Sequence, residues 1–133
     1  MLRSTFFPDV ASNEERRSLK IFQTEREIAT YIDALDLGEG EIITDTAYAY
    51  SVVMASKNPR QFIVTSDRDF QASARDPRGR KVRFMLVPIP SLGPADSLQR
   101  QWPALYESGA GIGVLEKEWK AKFFGDWRLY RVE

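Results

Sequence analysis

Three short strand-like runs, separated by segments of helical pattern, constrain the fold of this 133-residue chain more than any other feature. The runs cover residues 41–44, 61–65 and 82–87, and the last two carry apolar side chains in direct succession. Such runs are typical of strands that are buried on both faces. Strands that alternate with helices predict parallel pairing through right-handed crossovers.

The remaining segments complete a strand–helix alternation. Apolar spacing and capping residues predict one helix over 13–36, or two that meet near Gln23, and further helices over 46–55 and from about 69 to 75. A fourth helix is expected over 96–106, with Pro103 inside it or at a break.

Two further strands are expected near the end of the chain, over 112–119 and 126–132, with a hairpin between them. In the second, alternation places Trp127, Leu129 and Val132 on one side and Arg128 and Tyr130 on the other. The predicted fold class is therefore α/β with three layers: a small, mostly parallel sheet with helices on both faces and a C-terminal antiparallel hairpin. We expect residues 1–11 to be a leading segment or linker and 12–133 to be a single α/β domain.

Composition excludes several functional classes. The chain contains no cysteine and no histidine, which removes disulfides, thiol catalysis, zinc-finger sites and every mechanism with a histidine base. Its 19 basic and 19 acidic residues cancel, whereas dedicated nucleic-acid binders usually carry a basic excess. No apolar run reaches the roughly 18 residues of a membrane span. We therefore expect no nucleic-acid partner and a chain that is soluble in isolation.

Polar residues follow the first two strands at the edge where α/β sheets usually bind ligands. The candidate ligand-binding residues are Asp45, Ser66, Asp67, Arg68 and Asp69. The carboxylates could hold Mg²⁺ or Ca²⁺, but helix capping explains Asp45 and Ser66 or Asp67 more simply. We therefore predict no metal, no cofactor and no catalytic residue, and we expect a shared site to keep Asp45 within about 10 Å, one helix diameter, of Asp67.

A second candidate is a basic patch between the third helix and the third strand. It contains Arg75, Arg78, Arg80, Lys81 and Arg83, with only Asp76 as an acidic neighbour. Such a cluster could meet phosphate groups or an anionic membrane surface, although a solvated turn explains it as well. Aromatic residues near the C-terminus could stack on a sugar ring, but core packing is their more usual role. These candidates are Trp102, Tyr106, Trp119, Trp127 and Tyr130.

Several sequence strings resemble a known family when they are taken in order. They are NPRQFIVTSDRDF (58–70), DPRG (76–79), VRFMLVP (82–88), WPALYESGAG (102–111) and WRLYRV (127–132). The set spans roughly residues 24–132 and resembles the C-terminal soluble domain of bacterial multi-pass membrane proteins of the glycosyltransferase 39-like type. These proteins are similar to protein mannosyltransferases and aminoarabinose transferases.

The resemblance implies an accessory domain on the extracytoplasmic face of a bacterial membrane. Its partner would be the membrane-embedded part of the same protein, which carries the catalytic acidic residue and uses a polyprenyl-phosphate sugar. The domain itself would bind an acceptor, a glycan or a lipid-phosphate head group. Two alternatives stay open: a free-standing α/β enzyme or binding protein for a phosphorylated ligand, with Asp45, Asp67 and Asp69 as acids and Arg68 as an anion clamp, and a module that dimerises through its terminal hairpin.

Overall fold

A five-stranded mixed sheet with helices on both faces organises the computed structural model, which describes residues 22–91, 96–121 and 125–133. The helices are α1 (Gln23–Asp33), α2 (Thr46–Ala55), α3 (Phe70–Arg75), α4 (Ser97–Gln101) and α5 (Leu105–Ser108). The strands are β1 (Ile42–Ile43), β2 (Phe62–Ile63), β3 (Phe84–Pro88), β4 (Gly113–Trp119) and β5 (Trp127–Val132). Short 3₁₀ turns cover Pro59–Gln61 and Gly109–Gly111.

The strands lie in the order β2-β1-β3-β5-β4. β1 pairs in parallel with β2 on one side and with β3 on the other. β5 is antiparallel to both β3 and β4, and the β4–β5 register shifts between Leu115 and Lys117. The predicted parallel sheet with an antiparallel C-terminal hairpin is therefore confirmed, and the carboxyl ends of β1, β2 and β3 meet at one edge of the sheet.

Neighbouring residues of the three parallel strands pack into opposite cores, which explains the continuous apolar runs in the sequence. Ile42 packs in a core with α1 and α2, whereas Ile43 packs in a second core with α3, α4 and α5. The same alternation divides Leu86 from Val87 of β3. Both faces of the sheet are thus covered, and the predicted three-layer arrangement is confirmed.

The structure corrects some element boundaries and one side-chain assignment. β1 and β2 are shorter than predicted, with two residues each. Gln61, which was expected in the second strand, belongs to the 3₁₀ turn before β2. Residues 96–106 form two helices, since the chain breaks around Pro103. The prediction for Val132 was wrong: it packs in the same core as Tyr130, as the period of two requires.

Three further expectations concern the leading segment, membrane-spanning helices and the aromatic residues near the C-terminus. The predicted leading segment, residues 1–11, and the first part of the predicted helix over 13–36 lie outside the described residues. Within the described ranges, no helix has the length and apolarity needed to cross a membrane. Four of the candidate stacking aromatics are buried core residues, namely Tyr106, Trp119, Trp127 and Tyr130.

Candidate functional site

Asp45 links three segments at the carboxyl edge of the sheet. It follows β1 and caps α2, where its Oδ1 accepts hydrogen bonds from the backbone amide of Ala47 (2.8 Å) and the hydroxyl of Thr65 (3.0 Å). Its Oδ2 accepts from the backbone amide of Ser97 (2.7 Å), at the start of α4. The side chain is only 3% exposed. The capping role expected for Asp45 is confirmed, and the same carboxylate also fastens the end of β2 to α4.

The pKa of the Asp45 carboxyl is lowered by these contacts. Burial raises the pKa, but the amides of Ser97 and Ala47, with the hydroxyls of Ser97 and Thr65, donate to the charged form and outweigh burial. Asp45 is therefore an ionised group held inside the protein by its own hydrogen bonds.

A second carboxyl, Asp96, is buried close to Asp45. Asp96 caps α4 through a hydrogen bond from the amide of Gln99 to its Oδ1 (3.0 Å), and Gln99 in turn donates to the carbonyl of Pro88 at the end of β3. Its Oδ2 is buried without a hydrogen-bond partner among the described residues. Burial raises the pKa of Asp96 to about 7; the amide of Gln99 opposes this shift, and the charge of Asp45 adds to it. The two carboxyls are therefore shifted in opposite directions.

Asp67, Arg68 and Asp69 lie together on an open groove beside β2, which is an edge strand of the sheet. The groove encloses about 500 Å³. Asp67 Oδ2 accepts a hydrogen bond from the amide of Val64 (2.8 Å), and the amide of Asp67 donates to the carbonyl of Val64 (2.8 Å). This tight turn places three exposed charged side chains directly after the strand.

The same groove is also lined by Glu39, Gly40, Pro59 and Arg60, and by Val53 of α2. Arg60 lies in the 3₁₀ turn before β2. This turn is anchored to the end of α1, because the side-chain amide of Gln61 donates a hydrogen bond to Asp33 Oδ1 (2.7 Å). None of the groove's charged side chains forms an ion pair within the described residues. The groove therefore presents three carboxylates and two guanidinium groups to solvent.

The structure thus divides the predicted site. Asp67, Arg68 and Asp69 line one groove, whereas the buried Asp45 and the exposed Ser66 do not line it. Asp67 and Ser66 do not cap α3, because its first turn has no side-chain cap and Asp67 bonds to Val64 instead. In the part of the chain that the structure describes, no group of three acidic side chains could hold a metal ion.

Sequence reasoning missed Arg60, Glu39 and Asp96. Arg60 and Glu39 belong to turns before strands, and nothing in the local pattern shows that the chain brings them to the same groove. Asp96 is the first residue of the predicted helix over 96–106, and its residue type at that position could have identified it as an N-cap.

The predicted basic patch lies at the other end of β3, before its first residue. Its five cationic side chains are exposed. Arg75 and Arg78 line a cavity of about 250 Å³ together with Asp76, Trp102 and Glu133. Arg83 differs from the others because it pairs with Glu41 at 3.2 Å.

Comparisons with known proteins do not assign the chain to a family. No protein-family model, no curated protein and no solved structure matches the chain.

Proposed function

We propose that this chain is an accessory extracytoplasmic domain of a membrane glycosyltransferase-like protein, and that the groove beside β2 binds the glycan acceptor. The observation that carries the binding role is the convergence of Glu39, Arg60, Asp67, Arg68 and Asp69 on one groove of about 500 Å³. The role within a larger protein rests on the sequence resemblance.

The chemistry of the groove favours a neutral sugar over an anion. Carboxylates accept hydrogen bonds from sugar hydroxyls, and guanidinium groups donate to hydroxyl and ring oxygens. Three carboxylates against two guanidinium groups leave the groove with one net negative charge, which disfavours a phosphate. Val53 and Pro59 add apolar surface for the C–H face of a ring. The groove therefore suits a hydroxyl-rich ligand that is held mainly by polar contacts.

The buried carboxylates of Asp45 and Asp96 are not available to a ligand in the groove. Asp45 is only 3% exposed and its hydrogen bonds connect β1, β2 and α4. Asp96 is completely buried. Neither group faces the groove, so in this proposal the groove holds an acceptor for chemistry performed elsewhere in the parent protein.

Amide chemical shifts of the ¹⁵N-labelled chain, titrated with mannose- and arabinose-containing oligosaccharides, test the binding role. We expect shifts confined to residues 39–40, 53, 59–64 and 67–69. The double variant Arg60→Gln/Arg68→Gln should weaken binding at least about tenfold, since hydrogen bonds to charged donors contribute about 1.5 kcal/mol or more. The charge-matched control Arg78→Gln/Arg80→Gln should bind as the wild type does. No perturbation at millimolar sugar, or perturbation centred elsewhere, would contradict the groove assignment.

An immunoblot of fractionated source cells tests the role within a larger protein. A membrane-bound band several times heavier than 15.3 kDa is the expected result. A band of 15.3 kDa outside the membrane fraction would overturn it. That outcome would favour a free-standing enzyme or binding protein, or a dimerising module, which gel filtration would distinguish by size.

A further inference from the structure

An exposed, strongly basic turn lies between α3 and β3. We define the basic turn as Arg75, Arg78, Arg80 and Lys81, which stand within seven consecutive residues and are all exposed. The whole chain has no net charge, so this turn is a local concentration of positive charge on an otherwise balanced protein.

The backbone of the basic turn is held in place at both ends. Pro77 and Val82 are buried, and the amide of Val82 donates to the carbonyl of Pro77 (2.8 Å). The amide of Arg80 donates to the carbonyl of Asp76 (3.1 Å), and the carboxylate of Asp76 accepts from the amide of Gly79 (3.1 Å). These hydrogen bonds fix the backbone positions from which the exposed cationic side chains extend into solvent.

Two acidic residues, Asp76 and Glu133, lie beside the basic turn, and its four cations leave an excess of positive charge there. Within the described residues, none of its four cations forms an ion pair, whereas Arg83, Arg128 and Arg131 each pair with a glutamate. The carboxylate of Asp76 bonds within the turn itself. Four positive charges therefore face solvent.

The arrangement of these charges indicates the kind of partner. Only Arg75 and Arg78 line the neighbouring cavity, and that cavity also contains Asp76 and Glu133, which would repel a single bound anion. Arg80 and Lys81 are not among its lining residues. A surface that carries many negative charges offers a partner to each exposed cation, whereas one small anion in the cavity would reach only Arg75 and Arg78.

We propose that the basic turn docks the protein on an anionic lipid surface. A lysine or arginine close to such a surface strengthens partitioning by about fivefold. The attraction acts over about one Debye length, so salt weakens it. The surface is separate from the groove beside β2, and each of the two assignments can fail without the other.

Sedimentation with lipid vesicles tests this docking. We expect the protein to sediment with phosphatidylcholine vesicles containing about one-third phosphatidylglycerol at low salt, and to be released at about 0.5 M salt. The variant Arg78→Gln/Arg80→Gln should reduce the partition coefficient about 25-fold, which is two factors of about five. Arg78→Lys/Arg80→Lys should bind as the wild type does, because the charge is kept.

The control variant Arg60→Gln/Arg68→Gln removes the same charge from the groove and should leave vesicle binding unchanged. Equal losses in the two double Gln variants would overturn the proposal, because net charge alone would then explain binding. Equal binding to pure phosphatidylcholine would also overturn it. The absence of vesicle binding would overturn the proposal as well, even if inorganic phosphate alone shifts the amide NMR signals of the basic turn. Thermal unfolding of every variant would show that the comparison is made between folded proteins.

Discussion

Asp45 and Asp67 follow two neighbouring parallel strands, yet they end in opposite environments. Asp45 is 3% exposed and accepts three hydrogen bonds from three segments of the chain. Asp67 is exposed and lines an open groove, and among the described residues its carboxylate accepts a hydrogen bond from the local amide of Val64 alone. β1 lies between β2 and β3, and the turn after β1 is hydrogen-bonded to the first residue of α4, whereas the turn after the edge strand β2 is exposed. Position in the sheet therefore separates an aspartate that connects the fold from one that is available to a ligand.

The largest expected effect is a pH dependence of the free energy of unfolding that comes from the buried carboxyl of Asp96. Asp96 has a raised pKa of about 7 against 3.8 in the unfolded chain, so between these values the folded state retains a proton that the unfolded state has lost. The free energy of unfolding should therefore fall as pH rises from about 4 to about 7, by on the order of 4 kcal/mol in total, and level off above. Urea unfolding across this range measures the slope.

The variant Asp96→Asn is the control for that slope, because it should largely abolish the dependence between pH 4 and 7. Asp45, whose pKa is lowered, acts in the opposite sense and in a different window. Its contribution is present above about 4 and is lost as the pH falls below this value. A wild-type stability that is constant from about pH 4 to 7 would contradict the assignment of Asp96 as a buried, largely protonated group.

A somewhat smaller effect is expected from Asp45→Ala. The substitution leaves the amides of Ala47 and Ser97 and the hydroxyl of Thr65 without their acceptor, and each such bond to a charged group contributes about 1.5 kcal/mol or more. Removal of a buried charge offsets part of the loss. We expect the free energy of unfolding to decrease by about 3 kcal/mol, as measured by urea unfolding at pH 8. A decrease below about 1 kcal/mol would show that the three contacts do not connect the strands as described.

The smallest effect is expected from Asp67→Ala. This change removes one exposed hydrogen bond to the amide of Val64, and water can replace the lost acceptor. The free energy of unfolding should fall by about 1 kcal/mol or less. Sugar binding at the groove should weaken at the same time. If Asp67→Ala destabilises the chain as much as Asp45→Ala does, the difference between the two aspartates is not the difference between buried and open turns.

Local pattern was enough to predict much of the fold. The apolar runs around Ile63 and Met85 predicted strands that are buried on both faces, the strand–helix alternation predicted parallel pairing, and Asp45 was recognised as a helix cap. The errors came from turn and strand details. Gln61 extends a 3₁₀ turn instead of a strand, and Val132 follows the strict period of two in β5.

The candidate site was less predictable than the fold. Asp67, Arg68 and Asp69 are neighbours in sequence, so their common position could be expected. Arg60 and Glu39 reach the same groove only because β2 lies at the edge of the sheet beside β1. The close approach of Asp96 to Asp45 depends on the crossover from β3 to α4, which no local pattern specifies.

By itself, the sequence determined the alternation of strands and helices, the absence of histidine and cysteine chemistry, and the concentration of charge in the basic turn. These properties depend on residue type and short-range spacing, which act before the chain is folded. Only the tertiary structure decided which aspartate is buried, which carboxyl has a pKa raised to about 7, and which charges face a common groove. These properties depend on strand order and on the exclusion of water, and both arise from contacts between residues far apart in the chain.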